Sequence, residues 1–324
     1  MTQTPTNTVA WRPIGSIERL KQRSKLIQKI RNFFDQRGVW EVETPLLGNS
    51  TATDPHIHSL TVLTSPKNRG AQAYLQTSPE FPMKRLLAAG SGSIYQITKA
   101  FRAEEQGRLH HTEFTMLEWY RLGFDHHQLM DEMDELLSEI LNTPAAQRFT
   151  YTQIFQMHLG IDPLQCDLQT LKKCAHEHHL VISDNLTATA NNLDFWRQLL
   201  MSHLIEPQLG KDRPAFILDF PPSQAALAKI RDSTPPVAER FEVYFHQVEL
   251  ANGYHELCDP LEQKKRFDAD NQRRQQLELP NIPIDISLLA ALSQGLPTCA
   301  GVALGIDRLI MLALNAQTIG DVSF

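Results

Sequence analysis

Residues 94–121 read IYQITKAFRAEEQGRLHHTEFTMLEWYR and decide the fold. The segments 94–102 and 113–121 are typical of β-strands, and the charged segment 103–112 lies between them. Two such strands joined by one loop predict a long antiparallel hairpin. We therefore expect this hairpin to belong to a sheet that is mostly antiparallel.

Helices and further strands are predicted on both sides of the hairpin. From 14 to 36 apolar residues recur at helical spacing, and Gly38 follows as a stop signal. The segment 39–43 alternates like a strand, whereas 48–72 is polar and predicts a loop. The other predicted elements are helices at 78–89 (with Ser78 as N-cap), 126–141, 191–205, 259–279, 284–293 and 307–316, and strands at 215–220, 239–251 and 299–305. This pattern predicts an α+β fold, with a mostly antiparallel sheet flanked by helices.

Length and composition limit the classes of protein that the chain can belong to. Of its 324 residues 42% are apolar and 21% are charged, so it can bury a substantial core. We assign 1–13 to a polar tail and 14–324 to one folded domain, and we interpret 143–190 as an insertion. The formal charge of −6 argues against a broad basic surface for nucleic acid. Four cysteines without a CxxC pair, and no membrane-spanning or leader-like segment, predict a cytoplasmic protein that binds no membrane.

Three segments, in order, match the motifs of one enzyme class, while Walker A, HExxH and GxSxG patterns are absent from the sequence. The segment GVWEVETP (38–45) resembles motif 1 of class II aminoacyl-tRNA synthetases. The segments FRAE (101–104) and EFTMLEWY (113–120) resemble motif 2, and GIDR (305–308) resembles motif 3. The resemblance implies a class II synthetase-like catalytic domain over 14–324, and motif 1 implies a homodimer.

The resemblance extends to the lysine branch of that class. The segment ELANGYHEL (249–257) resembles the substrate-pocket strand of lysyl enzymes, and TSPE (77–80) resembles their pocket helix. Lysyl-tRNA synthetases carry an anticodon-reading OB-fold, whereas here only a short polar segment precedes the first predicted helix. We therefore expect no OB-fold and no tRNA substrate.

A lysyl-type core of this kind resembles the family of elongation factor P–(R)-β-lysine ligases, as do FILDFP (216–221) and GVALG (301–305). The resemblance implies that the chain activates (R)-β-lysine with ATP and Mg²⁺. It also implies transfer of the β-lysyl group to a lysine of translation elongation factor P, its protein substrate.

The resemblance implies roles for the nucleotide-binding residues. Arg102 would contact the α-phosphate and the reacting carboxylate, and Arg308 the γ-phosphate, so that both are catalytic. Glu104 would meet adenine, and His111 replaces a nucleotide-contacting asparagine of the family. The implied ATP-binding residues are Arg102, Ala103, Glu104, His111, Glu249, Leu250, Gly305 and Arg308.

Glu242 and Glu249 are the implied magnesium ligands. They are seven positions apart, so on a regular strand they would face opposite sides. A bulge or a twist is therefore needed to bring them together. The alternative is that each residue is only an exposed carboxylate of a strand. This alternative is stronger for Glu242 than for Glu249.

The implied substrate is a diamino acid, and three carboxylates would bind its two ammonium groups. Glu80 takes the ammonium nearer the carboxyl, and Glu118 and Glu256 take the distal one with Tyr120. Glu118 and Tyr120 are two apart on a strand and share a face. Three carboxylates repel one another unless cations compensate their negative charge, and this favours a dicationic ligand. The implied substrate-binding residues are Ser78, Pro79, Glu80, Glu118, Tyr120, Asn252, Tyr254, Glu256 and Ala303.

Two other functions stay open at the level of sequence. One is a stand-alone lysyl- or pyrrolysyl-type synthetase core, against which the negative charge and the missing anticodon-reading segment count. The other is an inactive paralogue that serves as a binding subunit. An inactive paralogue is expected to have lost Arg102, Arg308 or the metal carboxylates, and the sequence keeps them all.

Overall fold

The computed structural model describes residues 11–65, 72–180 and 191–324, so the predicted tail 1–13 and the end of the segment 143–190 lie largely outside the described residues. Helices are α1 (Ile17–Asp35), α2 (Glu80–Ala88), α3 (His126–Leu141), α4 (Tyr151–Leu159), α5 (Leu168–Glu177), α6 (Leu193–Leu200), α7 (Pro260–Gln276), α8 (Ile286–Gly295) and α9 (Ile306–Ala313). Strands are β1 (Trp40–Glu41), β2 (Leu47–Gly48), β3 (Thr61–Leu63), β4 (Gln72–Leu75), β5 (Ile94–Phe101), β6 (Glu113–Leu122), β7 (Gln147–Thr150), β8 (Ala215–Phe220), β9 (Ile230–Arg231), β10 (Val237–Phe245), β11 (Val248–His255) and β12 (Cys299–Gly305).

One large sheet organises the described part of the chain. Its strand order is β1-β5-β6-β12-β11-β10-β8-β7, and β9 pairs with β10. The pairs from β5 to β8 are antiparallel, while the outer pairs β1–β5 and β7–β8 are parallel. The predicted mostly antiparallel sheet with flanking helices is confirmed. Within the described ranges, no helix combines the length and the apolar character needed to cross a bilayer.

The hairpin at 94–121 forms as predicted. Strands β5 and β6 pair in register from Ile94 opposite Tyr120 to Phe101 opposite Glu113. Strand β6 then pairs with β12 on its other edge, which places motif 2 beside motif 3. The hairpin is therefore joined to the middle of the sheet through β12, and the pocket-facing side chains of β6 lie beside those of β12.

The prediction of one long strand at 239–251 is wrong. Two antiparallel strands, β10 and β11, occupy this stretch, and they are joined by a turn at His246 and Gln247 with φ of 48° and 65°. Glycine and asparagine are the usual signals of such left-handed residues, and neither stands at the turn. The apolar alternation therefore continues through the turn and hides it.

The expected bulge lies inside this hairpin. Glu242 is opposite Asn252, but the register then shifts, so that Tyr244 is opposite Glu249. The extra residue is Leu250, which is buried. One unpaired residue in β11 therefore brings Glu249 to the same face as Glu242, which a regular strand cannot do.

Three shorter predictions also need correction. The expected loop at 48–72 contains β3 and parts of β2 and β4, which form a separate three-stranded sheet. Helix α2 has Pro79 as its N-cap residue, and the preceding Ser78 hydroxyl accepts the Glu80 backbone N–H, as described below. The segment 191–205 forms α6 followed by one π-helical turn over Met201–Ile205.

The segment interpreted as an insertion contains regular structure that joins the main sheet. Strand β7 pairs in parallel with β8, so it forms an edge of that sheet. Helices α4, α5 and α6 bury apolar side chains such as Phe155 and Leu171 in one cluster against β8. A second cluster under α1, α3 and α9 holds the other face of the sheet.

The motif 3 aspartate fixes α9 relative to the hairpin. Asp307 Oδ2 accepts a hydrogen bond from the Thr115 backbone N–H at 2.7 Å, and its Oδ1 lies 2.7 Å from the Arg23 guanidinium of α1. All three residues are mostly buried, so these contacts are shielded from water. The next residue, Arg308, is thereby held at a fixed position beside the sheet.

Candidate active site

Most of the predicted site residues line one cavity of about 2060 Å³ on a face of the large sheet. The volume is sufficient for a nucleotide and an amino acid together. The predicted residues in its lining are Ser78, Glu80, Arg102, His111, Glu118, Tyr120, Glu249, Leu250, Asn252, Tyr254, Glu256, Ala303, Gly305 and Arg308. The predicted residues outside the lining are Pro79, Ala103, Glu104 and Glu242.

Arg308 is held by three contacts at the first turn of α9. Its Nε donates to the Leu109 carbonyl at 3.1 Å, and one terminal nitrogen donates to the Glu249 carbonyl at 2.7 Å. The other terminal nitrogen lies 2.6 Å from His110 Nε2. Burial and the charge of Arg308 lower the pKa of His110, so the imidazole is neutral and accepts this hydrogen bond. The guanidinium is therefore oriented before any ligand binds.

Arg102 stands at the end of β5 with unused hydrogen-bonding capacity. Its Nε is buried without a hydrogen-bond partner among the described residues. One terminal nitrogen lies 3.6 Å from Glu105 Oε1, and the guanidinium lies 5.2 Å from the centre of the Phe114 ring. A buried donor without a partner is costly unless a ligand satisfies it. Arg102 is therefore available to an anionic ligand in the cavity.

The motif 2 loop presents a different glutamate from the one that the sequence favours. Glu104 is exposed, adopts a left-handed backbone with φ of 64°, and lies outside the cavity lining. Glu105 lines the cavity and pairs with Arg102. The geometry therefore favours Glu105 over Glu104 as the loop carboxylate nearest a bound nucleotide.

The two proposed metal carboxylates differ in their surroundings. Glu242 is buried, pairs with Arg240, and accepts a hydrogen bond from the Tyr244 hydroxyl at 2.5 Å. The Glu249 side chain keeps 42% of its area open, and it faces Arg308 at 4.0 Å. Desolvation and the charge of Glu242 raise the pKa of Glu249, while nearby arginines oppose that rise.

A third carboxylate lies near these two. Glu206 follows the π-helical turn, and burial together with the charges of Glu242 and Glu249 raises its pKa to about 7. Carboxylates that raise one another's pKa in this way gain from a shared cation. Glu206 is not among the predicted site residues, because it comes from a segment remote from the three motifs.

Glu118 is a buried carboxylate that lines the cavity. It is 2% exposed, accepts a hydrogen bond from the Ser78 hydroxyl at 2.6 Å, and accepts one from the Tyr120 hydroxyl at 2.7 Å. Ser78 in turn accepts the Glu80 backbone N–H at 3.1 Å. Burial and the charge of Glu80 raise the pKa of Glu118 to about 7. The predicted shared face of Glu118 and Tyr120 is confirmed.

The other two pocket carboxylates already share a cation. Lys84 Nζ lies 2.6 Å from Glu80 Oε1 and 2.5 Å from Glu256 Oε2. The sequence analysis missed Lys84, although its position four residues after Glu80 on a helix is the usual spacing of an ion pair. It also missed Arg240, which shares a strand face with Glu242.

Small residues of β12 form one wall of the pocket. Ala303 lies opposite both Glu118 and Asn252 in the sheet register and lines the cavity. At Gly301 an added Cβ would lie 2.3 Å from the ring of Tyr120, so only glycine fits there. Asn252 also accepts a hydrogen bond from Arg240 Nε at 3.3 Å.

A second cluster of titratable side chains includes the first residue of α3. It contains His126, Glu239 and His255, whose ligand atoms lie within 4.8 Å of one another. His255 Nδ1 lies 2.6 Å from Glu239, and Arg231 lies 3.6 Å from the same carboxylate. The negative charge of Glu239 is therefore already compensated by side chains of the chain.

Comparison with known proteins gives a consistent result. The model of the family described as tRNA synthetases class II (D, K and N) matches residues 4–324. The chain is 55% identical to an elongation factor P–(R)-β-lysine ligase of Vibrio cholerae over 315 residues, covering 97% of this chain and 96% of that one. It is 54% identical to the ligase of Vibrio vulnificus and 50% identical to that of Yersinia enterocolitica, with 97% of each chain covered.

These matches extend over nearly the whole chain and include all three motifs around the cavity. The chain belongs to the class II tRNA synthetase family of the D, K and N enzymes and, within it, to the elongation factor P–(R)-β-lysine ligases.

Proposed function

We propose that the protein activates (R)-β-lysine with ATP and then transfers the β-lysyl group to the ε-amino group of a lysine of translation elongation factor P. One observation carries the proposal. A single cavity holds Arg102 and Arg308, which suit phosphates, together with Glu80 and Glu118, which suit ammonium groups. The names of the relatives supply the identity of the amino acid and of the protein substrate.

In the first step, a carboxylate oxygen of the amino acid attacks the α-phosphorus of ATP. The bond from that phosphorus to the β-phosphate oxygen breaks, and pyrophosphate leaves with the bond's electron pair. Arg102 would stabilise the charge that builds up at the α-phosphate, and its buried Nε supplies an unused donor. Arg308, oriented by His110 and Glu249, would hold the γ-phosphate.

In the second step, the neutral amine of the acceptor lysine attacks the carbonyl carbon of the adenylate. An amide bond forms, the carbon–oxygen bond to the phosphate breaks, AMP leaves, and the amine loses a proton. The residues that hold the β-lysyl group at this stage are those of the amino-acid pocket, with Glu80, Glu118 and Glu256 as its carboxylates.

Magnesium would be held by Glu249, which lines the cavity, with Glu242 and Glu206 as neighbouring carboxylates outside the lining. Glu242, Glu249 and Glu206 offer the oxygen ligands that Mg²⁺ prefers, and their mutual repulsion, seen in the raised pKa of Glu206 and Glu249, would be relieved by a divalent cation. When bound, the ion neutralises charge on the phosphates of ATP.

A homodimer in the cytoplasm is part of the proposal. The large exposed apolar side chains include Trp40, which lies in motif 1, and Leu46 and Leu47, which follow it directly. Exposed apolar area of this kind marks interaction surfaces. The four cysteines are free thiols, which suits a reducing compartment.

The experiment that tests the function is a pyrophosphate-exchange assay with (R)-β-lysine, α-lysine and no amino acid. We expect exchange to be fastest with (R)-β-lysine. A second assay offers elongation factor P and bulk tRNA as acceptors at physiological salt, and we expect a mass increase only on the protein. Efficient lysylation of tRNA, or exchange without any amino-acid preference, contradicts the proposal.

A further inference from the structure

Lys84 is a buried cation at the base of the amino-acid pocket. It lies on α2, is 1% exposed, and its ammonium contacts one oxygen of Glu80 at 2.6 Å and one oxygen of Glu256 at 2.5 Å. Glu80 and Glu256 come from different elements, α2 and the end of β11. A lysine is almost never fully buried unless it is paired. The position of Lys84 is therefore determined by these two carboxylates.

We propose that Lys84 is a positioning residue of the amino-acid pocket, whose ammonium is a fixed counter-ion that holds the carboxyl groups of Glu80 and Glu256 in place and favours the ionised form of Glu256 before substrate enters. This inference rests on the proposed function, because it assigns the two carboxylates to the binding of a diamino acid. It concerns a residue that the motif resemblance leaves without a role.

The charge balance of the pocket supports this role. When all three are ionised, as two bound ammonium groups would favour, Glu80, Glu118 and Glu256 together carry one negative charge more than the two ammonium groups of the substrate can compensate. With Lys84 included, the net charge of this group is −2, which equals in size the charge of those two ammonium groups. Complementary charge of this kind gives specificity. Lys84 therefore gives the pocket a net charge that two ammonium groups compensate. A ligand with only one ammonium group would leave one carboxylate without a counter-ion.

The electrostatic surroundings make Lys84 the principal cation for these carboxylates. Burial alone would lower the pKa of Lys84, but the charges of Glu256 and Glu80 outweigh burial and raise it, so Lys84 stays charged. Burial raises the pKa of Glu256 to about 8, and Lys84 limits that rise. The other titratable groups that face this set are Glu118 and Tyr120 of β6, Tyr254 of β11, Cys258 and Cys299.

The test is the pH profile of kcat/KM for (R)-β-lysine in pyrophosphate exchange, at saturating ATP. An opposite charge at this range lowers a carboxyl pKa by about 1–3 units. In Lys84→Met we therefore expect the acid limb to move up by about one unit or more, with activity recovering as the pH rises. The KM for ATP is expected to change by less than about twofold, since the nucleotide residues are untouched.

Two further variants separate electrostatics from packing. Lys264→Met removes an exposed lysine that pairs with Asp268 at the same spacing and at 2.6 Å, and it should leave the acid limb unchanged. Lys84→Met combined with Glu256→Gln removes both partners of the buried pair, which is better tolerated than removing one. In this double variant the acid limb of the pH profile should return at least halfway toward its wild-type position. If Lys84→Met alone does not fold, the double variant still separates electrostatics from packing.

A purely structural role predicts a different result. In that case Lys84→Met lowers the melting temperature equally at all pH values and leaves the acid limb in place, and this outcome overturns the proposal. Under the proposal, the gap in melting temperature between wild type and Lys84→Met widens from pH 5 to pH 8, because unpaired carboxylates must then ionise in a buried site. This measurement does not depend on activity, so it tests Lys84 even if exchange with (R)-β-lysine is absent and the proposed function fails.

Discussion

Ala303 of β12 lies directly opposite Glu118 of β6, and its side chain lines the same cavity as that carboxylate. A methyl group therefore stands beside the carboxylate that the substrate's ammonium would approach. The resemblance to lysyl enzymes implies glycine at this position, two residues before the motif 3 glycine. The register thus places the one additional methyl of the wall next to the amino-acid side of the cavity.

We expect Ala303→Gly to shift amino-acid selectivity toward α-lysine. Removing one methyl from a packed pocket is worth about 1–3 kcal/mol, so the ratio of kcat/KM for α-lysine to that for (R)-β-lysine should rise about tenfold or more. The KM for ATP should change little. Ala300→Gly makes the same change on the buried opposite face of the strand, and it should leave the ratio unchanged. An unchanged ratio in Ala303→Gly would assign the discrimination to other residues such as Glu80 and Asn252.

Arg308→Ala should reduce adenylate formation by at least about 100-fold, because one preoriented charge contact to the transition state is worth about 3 kcal/mol. The measurement is pyrophosphate exchange at saturating (R)-β-lysine. Arg148→Ala is the control, since Arg148 pairs with Asp131 at 2.6 Å at the far edge of the sheet and lies outside the cavity lining. Near-normal exchange in Arg308→Ala would remove Arg308 from the proposed chemistry.

The kcat/KM for (R)-β-lysine should rise with pH through about 7. The pKa of Glu118 is raised to about 7 by burial and by the charge of Glu80, so the carboxyl is largely uncharged below that pH and attracts an ammonium weakly. As the pH rises through the pKa the carboxylate forms, and binding improves by up to about tenfold per unit on the acid limb. Glu118→Gln should remove the part of the rise centred near 7 and leave the part set by Glu256 near 8, while a flat wild-type profile between pH 6 and 8 would contradict the assignment.

The wild-type protein should sediment at twice the mass of one chain at micromolar concentration. Trp40, at the start of motif 1's strand, keeps 52% of its surface exposed in the single chain, and Trp40→Glu should weaken the dimer by placing a charge in the interface. Leu261→Glu changes a residue that is 79% exposed on α7, and it should leave the dimer intact. A wild-type monomer at that concentration would refute the prediction.

Local sequence pattern predicted the elements whose ends carry strong signals. Strands β8 and β12 have the predicted bounds because a proline or a charged helix start follows each of them. The β10–β11 turn was missed because neither glycine nor asparagine stands at its two left-handed positions, which His246 and Gln247 occupy.

The motif resemblance predicted most of the site residues that line the cavity. It could not predict contacts between residues that are far apart in the sequence. His110 and Arg308 are 198 positions apart, and Glu206 approaches Glu242 only through the π-helical turn. Glu105 replaces Glu104 at the cavity because Glu104 has a positive φ, and that backbone state is a property of the folded loop. Sequence alone therefore predicts the type of chemistry better than it predicts which of two neighbouring side chains carries it out.

The bulge at Leu250 sets a limit on how the chain can change in length. Glu249 precedes this residue, Asn252, Tyr254 and Glu256 follow it, and all four line the cavity. Because side chains alternate along a strand, loss of one residue here would turn either Glu249 or the other three away from the cavity. The side chains before and after the bulge therefore depend on the same alternation along β11. A deletion or insertion of a single residue between them would turn one set away from the cavity while the strands of the sheet stay hydrogen-bonded.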